Sequence, residues 1–510
     1  MTNKPLFIST FVFLFAGSIS FSRATDISEV TLSHTHVHVA QPQRLSRTND
    51  LILVGLKSHL GKGTNRSDSA TPLKLSSAGR KLVLKDSTGL IHKASEISIS
   101  WRKVPLKIPQ NIYRKVVGPF SSYESANHFA MQMKGQGIPS VIAYPKDWEV
   151  WIPGSIQEIP KDIDFQVLKK TIYFQIKPVL KGSHGELLLT GPIRIEAKEG
   201  LLWKGGVYGE SFLLKPDAYG TWTFIEEVAI DQYLYGVVPH EIGPRAPQNA
   251  LAVQAVLART WALANSQRFE VDGYHLCSNT QCQVYKDPQK SSLIIKKAIS
   301  DTSGKILTWN RSPINAVYHA TNGGVIASGQ EAWSMKPVPY LRANLDGSKK
   351  LHDRFQLPLS NESSLKTFLN DSQDSYGINH YLFRWKRTLN AYQLKAALKS
   401  LNPSIGVPSS IEVLERGPSG RVLTLKINSD ENGSSQVLHL DSIRRTIRKL
   451  PSTLFIINKL NAGLWEFIGG GFGHGAGLSQ SGAIDLAERG WSPKAILMHY
   501  YPGTQYETLP

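Results

Sequence analysis

Gly469-Gly470-Gly471-Phe472-Gly473-His474-Gly475-Ala476-Gly477-Leu478-Ser479-Gln480 is the stretch on which the reading of this chain turns. Six glycines around one histidine leave the backbone almost bare, and glycine accepts positive φ and close approach at an entropic cost. The run therefore predicts a loop that a ligand can approach closely. It is not a phosphate loop, because no Lys-Ser/Thr follows it. Downstream, the 480–489 segment predicts a helix.

At 510 residues the chain has room for several domains. Lys4 precedes an apolar stretch over 6–19, and Ser22-Arg23-Ala24 has the small-x-small form of a cleavage site. Fewer than the roughly 20 apolar residues of a spanning helix are present. We read 1–24 as a secretory signal, with an uncleaved anchor as the alternative, and the remainder as exported. Lys and Arg outnumber Asp and Glu 58 to 40, a formal charge of +18. In an exported protein this suits the polyanions of a wall or membrane surface, not nucleic acid.

The expected fold class is α+β: a strand-rich mixed domain with a few helices and one small βαβ unit. Residues 25–104 read as short strands, including 51–56 and 81–85. Around 105–155 a strand at 113–120 leads into Ser121-Ser122-Tyr123-Glu124, a capping-box pattern. Ala126, Phe129, Ala130 and Met133 then follow at helical spacing, with strands at 140–144 and 149–152. The 247–268 segment predicts an amphipathic helix without Gly or Pro. The 345–465 stretch is looser.

Two further segments carry chemistry. Tyr233-Leu234-Tyr235-Gly236-Val237-Val238-Pro239-His240-Glu241-Ile242 reads as a strand-like run that ends at Pro239, with Glu241 just before the long helix. Apolar neighbours would raise its pKa toward that of a general acid. The position equally suits a carboxylate that flanks a helix N-terminus, and spacing alone leaves both open. Tyr318-His319-Ala320-Thr321-Asn322-Gly323-Gly324 offers a polar wall for a hydroxyl-rich ligand, or an ordinary turn after a strand at 313–317. Cys277 and Cys282 are the only cysteines. In an exported chain they predict a disulfide.

Taken in series, DQYLYGVVPHEI, ALAVQAVLARTWAL, CQVY, AVYHATNGG, GGGFGHGAGLSQSGA and HYYPGT resemble the sporulation stage II protein D family, the SpoIID/LytB domain, over 160–508. The VGPFSSYESA turn makes 105–155 similar to the SPOR module, which binds peptide-free glycan. The resemblance implies a peptidoglycan lytic transglycosylase that cleaves MurNAc–GlcNAc bonds to 1,6-anhydro ends. The alternative it carries is a non-catalytic enhancer of a wall amidase. It implies Glu241 as the catalytic acid. His319, Thr321, Asn322, His474, Ser479 and Gln480 become substrate contacts, and Gln254 is set toward the same cleft. Tyr113, Arg114, Phe120 and Trp148 are the sugar-facing candidates of the SPOR-like unit. Some members bind zinc near CQVY, but Gln281 stands where one ligand histidine would be. With only Cys277, Cys282 and His275 at hand, no cofactor is expected and the disulfide is preferred, with zinc on these three as the alternative. The partners implied are glycan strands and a wall amidase.

Overall fold

The computed structural model describes residues 35–47, 50–64, 70–182 and 185–509. The signal segment read over 1–24 lies outside them. Among the described residues, no helix is long and apolar enough to cross a membrane. Strands outweigh helices, 36% to 23%, as the α+β expectation requires.

The helix Gln248–Ala264 is the hub. The sequence predicts one apolar face; the structure buries every side chain from Ala250 to Leu263. Alanines at 250, 252, 255, 258 and 262 keep it slim. The helices Ile230–Glu241, Leu293–Asp301, Gln480–Glu488 and Pro493–Tyr500 and the strand Lys305–Trp309 therefore pack around it. Burial on all sides forces its polar groups to find partners. Arg259, fully buried, donates to Asp231 Oδ1 at 2.7 and 3.1 Å and to the Thr302 carbonyl at 2.9 Å. Thr260 Oγ1 donates to the Val256 carbonyl and accepts from the Leu307 amide.

The strand expected up to Pro239 is instead the helix Ile230–Glu241. Its β-branched and aromatic content suggests a strand. Its buried residues, Ile230, Tyr233, Leu234, Val237 and Val238, nevertheless follow helical spacing. Pro239 lies in the last turn, where it removes the ladder bond to the Tyr235 carbonyl just before the helix ends.

A seven-stranded sheet packs beside this helical centre. Its order is Leu276–Cys277, Leu51–Leu60, Trp222–Ala229, Ser211–Pro216, Ile193–Glu196, Leu82–Lys85, Ile91–Ala94. The strand Leu51–Leu60 pairs antiparallel with Trp222–Ala229 and parallel with Leu276–Cys277. The N-terminal strands and the region after residue 200 thus share one sheet. A long strand, Glu96–Phe120, pairs with Gln166–Gly182 and leads into the unit expected near 105–155. There Trp148–Pro153 joins Glu96–Phe120, and Val141–Ala143 joins Trp148–Pro153, with the helix Tyr123–Gly135 alongside. That helix is capped by Ser122, whose Oγ accepts from Ser125 N, not by a Ser121–Glu124 box. Glu124 is thereby left free for another partner.

The stretch read as loose holds a core of its own. Trp385, Leu389, Leu394, Val422, Leu425, Trp465 and Phe467 pack between two three-stranded sheets. Its helix Asp441–Thr446 points back to the hub.

Removing Asp231 would leave Arg259 buried without its counter-charge. We expect Asp231→Ala to cost about 2–3 kcal/mol in chemical denaturation, below the ~3–5 of a fully buried pair because Asp231 is about a third exposed. A loss below about 0.5 kcal/mol would show that the backbone carbonyls alone hold the guanidinium.

Candidate active site

Gly236 sets the geometry of the site. A Cβ there would lie 2.4 Å from the Lys286 carbonyl and 2.5 Å from the Tyr285 ring. Only a bare Cα lets the 282–286 segment lie flat on the helix, with Lys286 N donating to the Gly236 carbonyl at 3.1 Å. One turn on, this places the Val284 amide on Glu241, donating to Oε1 at 2.6 Å. Oε2 takes no donor from the described residues. Burial raises the Glu241 carboxyl to about 7, against the pull of the Val284 amide. It is therefore a proton donor near neutral pH whose free oxygen faces a cavity of about 220 Å3.

Three parts of the chain wall that cavity. The hub gives Glu241, Trp261, Arg268 and Tyr318; the unit near 105–155 gives Tyr123 and Glu124; the helix Asp441–Thr446 gives Asp441, Arg444 and Arg445. Arg268 pairs with Glu124 and lies over the rings of Tyr123 and Trp261 at 4.4 and 4.7 Å. Burial would raise the Asp441 carboxyl, but Arg444 and Arg445, at 3.0 and 2.6 Å, hold it below its ordinary value. Of the three carboxyls in the wall, Glu241 alone has no arginine partner.

Of the other expected contacts, His474 alone lines the cavity. Its Nε2 donates to the Tyr318 carbonyl at 2.8 Å and its Nδ1 accepts from Ala476 N at 3.2 Å. With Trp333 at 4.7 Å and a pKa lowered by burial to about 4, it is a neutral wall that braces the Tyr318 strand. His319 is buried behind it, donating through Nδ1 to the Ala476 carbonyl. Thr321 is buried, its backbone bridging to Phe472. Asn322 is fully buried and ties Asp346 Oδ2 to the Gly324 amide. Ser479 caps the helix Gln480–Glu488. Gln480 donates to Gln254 between buried helices. None of these five, nor Gln254, reaches the cavity in this structure.

The glycine run explains the difference. A Cβ on Gly477 would sit 2.1 Å from the Val317 carbonyl, and one on Gly475 2.3 Å from the Arg421 guanidinium. Bare backbone is needed here because Leu478–Ser479 pairs with Tyr318–His319, chain against chain, not because a ligand approaches. The aromatic residues of the 105–155 unit divide likewise. Trp148 is buried and donates to Gln281 Oε1, Arg114 stacks on Trp151, and Tyr113 is the exposed one.

Cys277 and Cys282 stand side by side as thiols, so the expected disulfide is not formed in this structure. Cys277 N donates to Cys282 Sγ at 3.0 Å. Zinc does not fit. Both ring nitrogens of His275 are engaged, with Leu53 N and the Gln43 carbonyl. Among the described residues no three His, Cys, Asp or Glu side chains converge.

Residues 218–309 match the family model described as Stage II sporulation protein, and 327–477 match a domain of unknown function, DUF8618. The chain is 29% identical over 320 residues to an uncharacterised protein of Brachyspira hyodysenteriae, covering 61% of this chain and 75% of that one. It is 28% identical over 295 residues to the amidase enhancer of Bacillus subtilis, covering 53% of this chain but only 40% of that protein. It is 26% identical over 299 residues to stage II sporulation protein D of Bacillus subtilis, covering 55% and 75%.

Two outcomes follow from the buried carboxyl and its brace. A carboxyl at about 7 in the folded chain, against an ordinary 4.5, favours folding below pH 4.5, and that advantage is lost as pH rises to 7. The ceiling is about 3 kcal/mol; part exposure brings it to about 2. Glu241→Gln should therefore gain about 2 kcal/mol on the native chain between pH 4.5 and pH 8 in denaturant titrations. Parallel pH curves would show that Glu241 ionises freely. Gly236→Ala, which drives a methyl into the Lys286 carbonyl, should shift the ionisation of Glu241 as read by NMR. An unmoved titration would show that the 282–286 segment gives way without cost.

Proposed function

Since the chain belongs to the stage II sporulation protein D family, we propose that it is a peptidoglycan lytic transglycosylase with Glu241 as its acid and base. The relatives' names support a role at the cell wall, and export of the chain accords with it. The observation that carries the reaction type is the single unpaired carboxyl. Ordinary glycosidases require two working carboxyls, and here Glu124 and Asp441 are each neutralised by arginine. One is enough when the nucleophile belongs to the substrate.

Protonated Glu241 gives its proton to the bridging oxygen as the bond from muramic C1 breaks, releasing the GlcNAc hydroxyl. The muramic O6 then bonds to C1 and returns its proton to the carboxylate. No water is consumed, and the 1,6-anhydro ring closes within one sugar, so high effective molarity replaces a second carboxyl. Arg444 and Arg445 give the cavity a cationic side that suits muramic acid freed of its peptide. The 105–155 unit, with exposed Tyr113 and a lysine-rich strand pair, serves as a SPOR-like grip on the glycan.

The relationship to an amidase enhancer favours a second reading, in which the same cavity binds glycan and the chain stimulates a wall amidase. Incubation with peptide-free glycan strands and mass spectrometry separates the two. We expect anhydro-muramic ends from the native chain and a loss of about a thousandfold in Glu241→Gln. Undiminished product from that variant would remove Glu241 from the chemistry. Amidase stimulation by both proteins, with no anhydro ends from either, would select the enhancer.

A further inference from the structure

We propose that the Tyr318 hydroxyl is a second polar contact to the sugar in the cavity, a positioning donor aimed by a fixed chain of hydrogen bonds through Gln283 and Tyr233. The proposal rests on the reading of the cavity as a glycan site.

The direction of the chain follows from one carbonyl. Gln283 is buried, and its Nε2 lies 3.4 Å from the Ala258 carbonyl, which can only accept. The amide is thereby oriented with its NH2 on that side. The same Nε2 lies 3.0 Å from the Tyr318 hydroxyl, so that oxygen accepts. On the other side, Oε1 accepts from the Tyr233 hydroxyl at 3.0 Å. Every member except the last now has its proton assigned. The Tyr318 O–H has no acceptor among the described residues, and Tyr318 lines the cavity that holds Glu241.

The ring is held to match. Tyr318 sits on the short strand paired with Leu478–Ser479, and its carbonyl takes the His474 Nε2–H. Burial, with the Glu241 charge nearby, drives the phenol well above its ordinary value, so it stays an O–H donor at any working pH. A neutral donor next to a carboxylic acid complements a sugar rich in acceptor oxygens. One group supplies the proton; the other fixes where the sugar lies.

The test uses the full-length chain with Glu241→Gln, so that bound glycan is not consumed, and titrates a peptide-free GlcNAc–MurNAc tetrasaccharide by calorimetry. Adding Tyr318→Phe should weaken binding about 3- to 10-fold, the worth of one hydrogen bond. Adding Tyr233→Phe, which cuts the far end of the chain while Ala258 still orients Gln283, should lower the melting temperature and leave affinity within about twofold. Gln283→Met keeps the hydroxyl but removes its orienting donor, and should fall between. Unchanged affinity in Tyr318→Phe overturns the proposal. So does equal weakening in Tyr318→Phe and Tyr233→Phe, which is the mark of a merely structural chain. If the native chain cleaves nothing while binding still depends on Tyr318, the transglycosylase reading falls and the tyrosine stands. Absence of any binding to the parent removes both.

Discussion

The bare Cα of Gly236 under the 282–286 segment is the contact from which the site is built. Because the segment lies flat there, the Val284 amide meets Glu241, Tyr285 packs on the helix, and Gln283 reaches both Tyr233 and Tyr318. Of these three consecutive residues, Val284 lines the cavity, Gln283 reaches its wall through Tyr318, and Tyr285 anchors the segment to the helix. The cost of enclosing Glu241 is met by the surrounding core, above all by the hub helix, whose packing leaves the carboxyl little water to ionise into. Stability and proton affinity therefore share one source. The burial that fixes the helix Ile230–Glu241 also keeps its last side chain protonated near neutral pH.

Raised proton affinity alone does not identify an acid. Glu226 is lifted to about 7 by burial as well, and it is fully enclosed, with Oε1 accepting from Gly209 N. It faces no cavity and can hand its proton to nothing outside. Glu226 too has one oxygen held and one without a partner among the described residues; Glu241 differs in lining a cavity that a ligand can enter. In the proposed reaction the held oxygen of Glu241 would fix the geometry and the free one would carry the proton, as general acid catalysis requires.

How much of this could be read beforehand depended on the range of the interactions. Short strands and the helix after Gln480 follow from local periodicity and stand where the sequence puts them. The run Val237-Val238-Pro239 misleads because β-branched content and a proline outweigh a helical burial pattern that only tertiary packing reveals. The glycine run was legible as unusual, but not as to what approaches it. Positive φ is equally required for a ligand and for the neighbouring strand, and the strand Tyr318–His319 is some 150 residues away. Arg268, Glu124, Arg444 and Arg445 were not found at all. Their meaning lies in pairs such as Arg268–Glu124, separated by 144 positions, and no local signal marks either member. Tyr318 stood beside the residues that were singled out, yet its role comes from Gln283 and Ala258, which its own segment does not contain.

The cavity wall joins three parts of the chain, and this bears on what it can hold. Had the 105–155 unit been only a tethered glycan grip, its helix would present polar groups to solvent. Instead Glu124, released from the capping role by Ser122, reaches Arg268 within the wall, and Ser125 Oγ accepts from Ser334 N. The helix Asp441–Thr446 closes the opposite side with a carboxylate that both its arginines already hold. Each added piece brings its carboxylate already held by arginine. The one uncompensated acid then stays on the hub, and its proton affinity is set by burial and the Val284 amide, not by the charges of the walls. On the function proposed for this cavity, the walls would adjust which glycan fits while the proton transfer stays with Glu241.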